Sequence, residues 1–275
     1  MKENKIWHKK NIPILLALLL LIGGILRTIV GSNGSPLPDA INFGLHAIDF
    51  INNGAISNQN QSPVWFILTD ISYKIFGVTL FSASLASIIF GTLTILLVYL
   101  LARELFGNKI ALISAMFSTF SAFAIANTIM EMDPTFTFFS MLALYLFVLK
   151  LLRENRISLL AVVFYGVAVL SKPIALMMGP GFVLVYLAHY LRNKEQRREI
   201  LNKNTGKIIE AVLLSILFFL PLITYNYLLY KERGLTDVMV ARFFGTSMEF
   251  YSSIAHTMSS FSPTRLFTEG LTTPI

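Results

Sequence analysis

The sequence contains no cysteine and few charged residues, and these two shortages exclude several classes of protein. Without cysteine, the chain of 275 residues can form no disulfide, no iron–sulfur cluster and no cysteine-ligated zinc site. Charged residues make up 13% of the chain, about half the share that is usual in soluble domains, whereas apolar residues make up 55%. A soluble core could not bury so much apolar surface, so lipid must solvate much of the chain.

Nucleotide-binding motifs are absent as well. The sequence has no P-loop and no Gly-x-Gly-x-x-Gly turn after a strand, which argues against an ATPase or a dinucleotide-binding module. No polar segment is long enough to form a soluble domain that could bind a nucleotide sugar on the cytoplasmic side. Any sugar chemistry would therefore need a lipid-linked donor and would take place on the outer side.

Apolar runs predict an all-α fold, a polytopic membrane helical bundle of about seven transmembrane helices. Each span needs about 20 mostly apolar residues. The predicted spans are residues 12–30, 79–101, 110–128, 134–152, 157–171, 174–191 and 208–228. They define a transmembrane module at 1–230, whose first outer loop is 31–78, and an outer tail at 231–275.

Lysine and arginine set the predicted orientation, because cytoplasmic loops close to span ends are enriched in both. With the N-terminus inside, most of the 22 basic residues fall in the inner segments. The net charge of +7 is therefore a topology signal. We expect a multi-pass plasma-membrane protein with a cytoplasmic N-terminus and its active face outside, and no nucleic-acid partner.

The first outer loop is predicted to carry two in-plane helices. Following Asp39, apolar residues recur on one face of a helix that would lie in the membrane interface, namely Ile41, Leu45, Ile48 and Ile51. A second, aromatic and amphipathic segment covers residues 62–77 and suits the interface or a steep approach to the second span.

Four ionisable residues collect at the outer edges of the predicted spans: Arg27, Asp39, Asp133 and Lys172. Charges near spans are costly and often functional. A carboxylate can act as a general base, and a cation can neutralise a phosphate leaving group. Each residue also has a structural explanation, because the acids are good helix starts and the cations could extend to the headgroups. Their shared side favours the functional interpretation.

Five short segments, taken in order, resemble motifs of the GT-C membrane glycosyltransferases. The resemblance is to the group of the dolichyl-phosphate-mannose protein mannosyltransferases and aminoarabinose transferases, that is, glycosyltransferase family 39 and its RgtA-D-like relatives. It covers about residues 12–230. The segments are Leu26-Arg27, Pro38-Asp39-Ala40 with the helix after it, Gln61-Ser62-Pro63-Val64-Trp65, residues 127–133 and residues 166–173.

The resemblance implies a GT-C-like N-terminal module that moves a hexose or pentose from a polyprenyl-phosphate donor to a protein, lipid or glycan acceptor. It implies that Asp39 is the catalytic base and that Lys172, assisted by Arg27, binds the donor phosphate. It also implies that Asp133, with Glu131 beside it, organises the acceptor or a divalent cation. The acceptor would attack the anomeric carbon directly, with inversion.

Two departures from the family pattern bear on this expectation. Ala40 stands where the family usually has glutamate. Family members continue through further spans, whereas residues 229–275 contain no apolar run of membrane length. The chain is therefore expected to be truncated, a minimal member, or one half of a split enzyme with a separate chain supplying the missing helices. A transporter or flippase and an inactive membrane scaffold are the alternatives.

Overall fold

The computed structural model describes residues 11–37, 40–41, 43–45, 47–48, 63–236 and 247–248. Within these ranges the chain is almost entirely helical, which confirms the predicted all-α class. Short 3-10 helices at Pro173–Met178 and Lys194–Gln196 precede the last two α-helices, and the two-residue strands β1 (Leu235–Thr236) and β2 (Ser247–Met248) pair in parallel. The α-helices are α1 (Ile12–Asn33), α2 (Pro63–Phe76), α3 (Leu80–Phe106), α4 (Asn108–Phe120), α5 (Ala122–Ala126), α6 (Asp133–Glu154), α7 (Leu159–Ser171), α8 (Gly179–Arg192) and α9 (Arg197–Arg233).

Four helical stretches in the described part of the chain are long and apolar enough to cross a membrane: α1, α3, α6 and Ile174–Arg192. Helix α7 is apolar but has 13 residues, or about 20 Å of helix, which is short for a bilayer core. Helix α9 contains the predicted span 208–228 within its 37 residues. The protein is thus an integral membrane protein by composition and fold, and the count of seven spans stays a prediction.

The third predicted span, 110–128, is not one continuous helix. The backbone of Ser121 is extended (φ −63°, ψ 110°), so that α4 ends at Phe120 and the five-residue α5 begins at Ala122. The Ser121 hydroxyl accepts a hydrogen bond from the amide of Ala124 at 3.3 Å and so caps α5. The prediction of an unbroken span here was therefore wrong. The sequence does not indicate the break, because neither proline nor glycine stands at it.

Small residues bring the helices into close contact. Helix α3 packs against α1, α4 and α6, and α6 packs against α7, which in turn contacts α9. A Cβ atom added to Gly31 would lie 2.9 Å from Ile88, and one added to Gly166 would lie 2.4 Å from the Phe218 ring. Close approach at glycine is a common means of helix association in membranes.

The end of the bundle that carries most basic residues is held by a network of polar side chains. Asn155 ends α6 in the left-handed conformation (φ 55°), and its carbonyl accepts a hydrogen bond from the side chain of the buried Asn204 at 2.7 Å. Asn204 also accepts from the amide of Ile157 at 2.6 Å. Glu104 of α3 accepts from Arg153 of α6 at 3.0 Å. These contacts join α3, α6, α9 and the segment before α7 at this end.

An apolar cluster covers the opposite end. It contains residues from the first outer loop, from α2, from the start of α3 and from the segment before α6: Ala40, Ile41, Ala47, Trp65, Phe66, Tyr73, Ala83, Met130 and Met132. Leu45 and Ile48 pack against it, as the predicted amphipathic helix requires. The described residues between 40 and 48 are helical, and so is 63–76, which confirms helices in both predicted segments of this loop. Their in-plane orientation stays a prediction.

Candidate active site

Lys172 and Asp133, which are 39 positions apart in the sequence, form an ion pair. Asp133 is the first residue of α6, and Lys172 directly follows the last residue of α7. An acid at a helix N-terminus and a base at a helix C-terminus each interact favourably with the helix dipole. The Asp133 side chain is 31% exposed and the Lys172 side chain 25%, so that a ligand can reach both. The ammonium also lies 5.8 Å from the centre of the Phe136 ring.

The end of α7 fixes the position of Lys172. Its amide donates to the carbonyl of Ala168 at 2.9 Å, but its own backbone is extended (φ −158°), as expected for a residue that precedes proline. Pro173 then starts the 3-10 helix. The Tyr165 hydroxyl donates to the carbonyl of Leu176 at 3.0 Å and ties this short helix back to α7. The chain therefore turns sharply at Lys172 and leaves its side chain at the helix end.

Two serines of α3 hold the segment that precedes Asp133. Met130 has a positive φ of 56°, which is unusual for a residue other than glycine, and its amide donates to the Ser84 hydroxyl at 3.1 Å. The Ser87 hydroxyl donates to the carbonyl of Glu131. Neither serine was predicted as part of the site from the sequence. Both are small polar residues in an apolar span, and such residues are enriched where helices contact each other in membranes.

Glu131 lies between these two anchors and is 9% exposed. Among the described residues, no three or more histidine, aspartate or glutamate side chains come together in a way that could hold a metal ion. Asp133 is engaged by Lys172. The predicted role of Asp133 and Glu131 at a cation or acceptor site thus remains a prediction.

Arg27 lies inside the bundle, and none of the hydrogen bonds that the structure gives it goes to Lys172 or Asp133. It is 1% exposed and six residues before the end of α1, which corresponds to about 9 Å of helix. Its guanidinium donates to the carbonyls of Ser118 at 3.0 Å and Thr119 at 3.4 Å, at the end of α4, and to Gly23 at 3.2 Å. The idea that this side chain extends to the headgroups was therefore wrong.

The contacts of Arg27 explain the helix break. Where α4 ends, its last carbonyls lose their helical partners, and in a membrane no water is available to replace them. The guanidinium supplies the missing donors at Ser118 and Thr119. Gly91 makes room for this arrangement, because a Cβ atom there would lie 3.2 Å from the Arg27 Nε atom.

Asp39, the predicted catalytic base, lies outside the described residues. The next residue, Ala40, is fully buried and belongs to the same cluster as Met130 and Met132. Those two methionines flank Glu131, and Met132 directly precedes Asp133. The outer-loop helix and the acidic segment are thus parts of one packed layer at this end of the molecule.

Comparison with known proteins relates the chain to membrane glycosyltransferases. The model of the dolichyl-phosphate-mannose-protein mannosyltransferase family matches residues 60–225. A protein of Aquifex aeolicus (strain VF5) is 33% identical over 187 residues, which are 66% of this chain and 36% of the relative. YkcB of Bacillus subtilis (strain 168) is 31% identical over 172 residues, which are 61% of this chain and 23% of the relative.

The fold also matches a solved structure. The crystal structure of ArnT from Cupriavidus metallidurans, bound to undecaprenyl phosphate, superposes with a TM-score of 0.58 at 18% identity. The match covers 84% of this chain and 43% of that protein. The GT-C architecture expected from the sequence is therefore confirmed. The chain spans less than half the length of each of these three proteins.

Proposed function

Since this chain belongs to the dolichyl-phosphate-mannose-protein mannosyltransferase family, we propose that it transfers a sugar from a polyprenyl-phosphate donor to a protein, lipid or glycan acceptor. The transfer takes place on the non-cytoplasmic face. The observation that carries the proposal is the Lys172–Asp133 pair, which joins two family-like segments at one end of the bundle. The undecaprenyl phosphate bound to ArnT, a protein of the same fold, supports a donor of this class.

Lys172 binds the phosphate of the donor. When the glycosidic bond breaks, a lipid monophosphate leaves with added negative charge, and a nearby ammonium stabilises that charge. The partly exposed Lys172 can exchange its carboxylate partner for a phosphate without leaving the helix end. In the resting protein Asp133 keeps the ammonium in place, and after the exchange its carboxylate is available to the acceptor or to a cation.

Asp39 acts as the general base. Its carboxylate takes the proton of the acceptor hydroxyl or amine while the acceptor atom forms a bond to the anomeric carbon. The bond from that carbon to the phosphate oxygen breaks, and the polyprenyl phosphate departs with the electron pair. One displacement inverts the configuration of the anomeric carbon. This role comes from the family resemblance at Pro38-Asp39-Ala40.

Arg27 contributes indirectly. Its guanidinium is taken up by the carbonyls of Ser118 and Thr119, so that it stabilises the broken helix that leads into the acidic segment. We therefore assign the phosphate to Lys172 and a positioning role to Arg27.

Donor consumption in membranes tests this function. Membranes containing the chain are incubated with labelled undecaprenyl-phosphate-mannose, and the release of undecaprenyl phosphate is followed. D39N and K172Q should each reduce release by about a hundredfold or more, the usual contribution of a general base or of a charge-stabilising group. K150Q is the matched control, because it removes an ion pair with Glu154 at 2.6 Å at the other end of α6. Full activity in D39N and K172Q would refute the proposal.

One observation favours the competing transporter or flippase. Broken helices inside membrane spans are typical of transporters, and the break between α4 and α5 is of this kind. Two of the carbonyls freed at this break, those of Ser118 and Thr119, are occupied by Arg27, however, and are not available to an ion. A flippase would move labelled lipid between leaflets of a vesicle and keep that activity in D39N, whereas the proposed enzyme would not.

A further inference from the structure

Helix α2 has its polar side facing inward. Its exposed side carries Ile67, Ile71 and Ile75 at a spacing of four residues, each at least 48% exposed, and the exposed Lys74 and Phe76 lie near its end. At 14 residues the helix measures about 21 Å and is too short to cross a bilayer. A helix with this pattern in a membrane protein places its apolar side against lipid and its polar side toward the protein interior.

The inward side carries four polar atoms that find no hydrogen-bond partner in the described structure. They are the indole Nε1 of Trp65, the hydroxyls of Thr69 and Tyr73, and one carboxylate oxygen, Oδ1, of Asp70. All four residues are more than nine-tenths buried. Buried polar groups are nearly always paired, so four unpaired groups on one short helix point to a missing ligand or to water.

Other polar groups of α2 are paired in the ordinary way. The Ser72 hydroxyl donates to the carbonyl of Ser82 at 2.7 Å, and the second Asp70 oxygen accepts from Lys74 at 3.0 Å. Burial raises the pKa of the Tyr73 hydroxyl, which keeps it neutral and able to donate. The unpaired set thus offers one N–H donor, one charged acceptor and two hydroxyls that can do either.

The inner side of α2 packs against the segment that leads to Asp133. Trp65 and Tyr73 belong to the same buried cluster as Met130 and Met132, which flank Glu131 and precede Asp133. Helix α2 also contacts α7, the helix that ends at Lys172. Helix α2 therefore contacts both parts of the chain that lead to the ion pair, the segment before Asp133 and the helix before Lys172.

We propose that the inner side of α2 binds the sugar ring of the donor, through Trp65, Thr69, Asp70 and Tyr73. This inference rests on the proposed function. A sugar ring presents several hydroxyls, each both donor and acceptor, and so matches a mixed set of this kind. A phosphodiester does not, because it offers only acceptors and cannot donate to the unpaired Asp70 oxygen. The phosphate of the donor is held by Lys172 and its sugar by α2, so that the anomeric carbon lies between them.

Thermal unfolding of the purified chain, with and without ligand, tests this assignment. T69V and Y73F each remove an unpaired hydroxyl and nearly keep the side-chain shape, so the free protein should unfold at or above the wild-type temperature. S72A is the matched control from the same helix, and it should unfold at a lower temperature because its hydroxyl is paired. Destabilisation of T69V and Y73F equal to that of S72A would overturn the inference.

Measurements with two lipid ligands separate the contribution of the sugar from that of the phosphate. Undecaprenyl-phosphate-mannose should stabilise the wild type more than undecaprenyl phosphate does. In the T69V/Y73F double variant and in D70N the extra effect of mannose should fall, with a loss of about tenfold or more in affinity, while the effect of undecaprenyl phosphate persists. K172Q should lose the phosphate effect instead. An unchanged mannose effect in the α2 variants would mean that buried waters, not a sugar, satisfy these groups.

The outcomes also distinguish this inference from the proposed function. Mannose-dependent stabilisation that needs α2, without any sugar transfer by the wild type, would refute the transferase and leave the sugar site standing. Transfer that proceeds equally in D70N and the double variant would refute the sugar site alone. A wild type that responds to neither lipid would refute both.

Discussion

Arg27 has a structural role in the bundle, although its position in the sequence suggested that it binds phosphate. The sequence places it beside the end of a span, where a phosphate ligand is a reasonable expectation. In the structure its bonds go to three backbone carbonyls, two of them at the end of α4. A buried cation persists in a membrane protein only where such partners exist, and here it allows a helix to break without leaving those two carbonyls unpaired.

Replacing Arg27 by leucine should destabilise the chain by about 1–3 kcal/mol, because the carbonyls of Ser118 and Thr119 lose their donors. Lysine should restore part of this stability, since it supplies donors but not the planar fork. The measurement is thermal unfolding in detergent. R153Q is the matched control, as Arg153 is exposed and its pair with Glu104 contributes less than about 1 kcal/mol.

A direct phosphate role for Arg27 would give a different result. R27K would then weaken the stabilisation by undecaprenyl phosphate and leave the unfolding temperature of the free protein unchanged. That outcome would show that Arg27 binds the donor phosphate directly.

At the scale of secondary-structure elements, the sequence predicted which segments are helical but not how they are interrupted. The amphipathic helix after Asp39 and the sharp turn at Lys172-Pro173 were read from periodicity and from proline, which are local signals. The break at Ser121 depends on Arg27, which is more than 90 residues away, and the left-handed Met130 depends on Ser84. Local propensity cannot reveal either, because the stabilising partner lies on another helix.

The candidate site, too, could be predicted from the sequence only in part. That Lys172 and Asp133 lie at the same end of the bundle could be expected from the alternation of spans, but their ion pair could not. The inward-facing polar side of α2 could not, since an amphipathic pattern alone does not say which side meets the protein. The exposure of Ile67, Ile71 and Ile75 in the structure decides that question.

The contact of α7 with α9 at Gly166 supports a prediction at this scale. A methyl group at this position would lie 2.4–2.8 Å from ring atoms of Phe218, so G166A should push the helices apart and destabilise the chain by about 1–3 kcal/mol. Gly181 in α8 is the control, because a Cβ atom there meets nothing within 4 Å. G181A should be neutral or stabilising by up to about 1 kcal/mol. Equal unfolding temperatures for the two variants would contradict the tight packing of this contact.

At the scale of the whole molecule, the two ends of the bundle differ in chemistry. One end carries the basic residues and the network of Asn155 and Asn204, and the other carries the Lys172–Asp133 pair, the apolar cluster and the unpaired side of α2. The positive-inside tendency assigns the first end to the cytoplasm, so the second should face outward. A donor anchored in the outer leaflet can then reach Lys172 from the lipid.

Labelling of single cysteines can decide this orientation, because the chain has no cysteine of its own. Ser35 follows α1 and Lys194 precedes α9, and both are exposed and lie at opposite ends of the predicted topology. S35C should react with a membrane-impermeant maleimide in intact cells, whereas K194C should react only after the cells are permeabilised. The reverse pattern would place Lys172 and Asp133 on the cytoplasmic side. It would then require a donor in the inner leaflet, and the proposed outward-facing transfer could not take place.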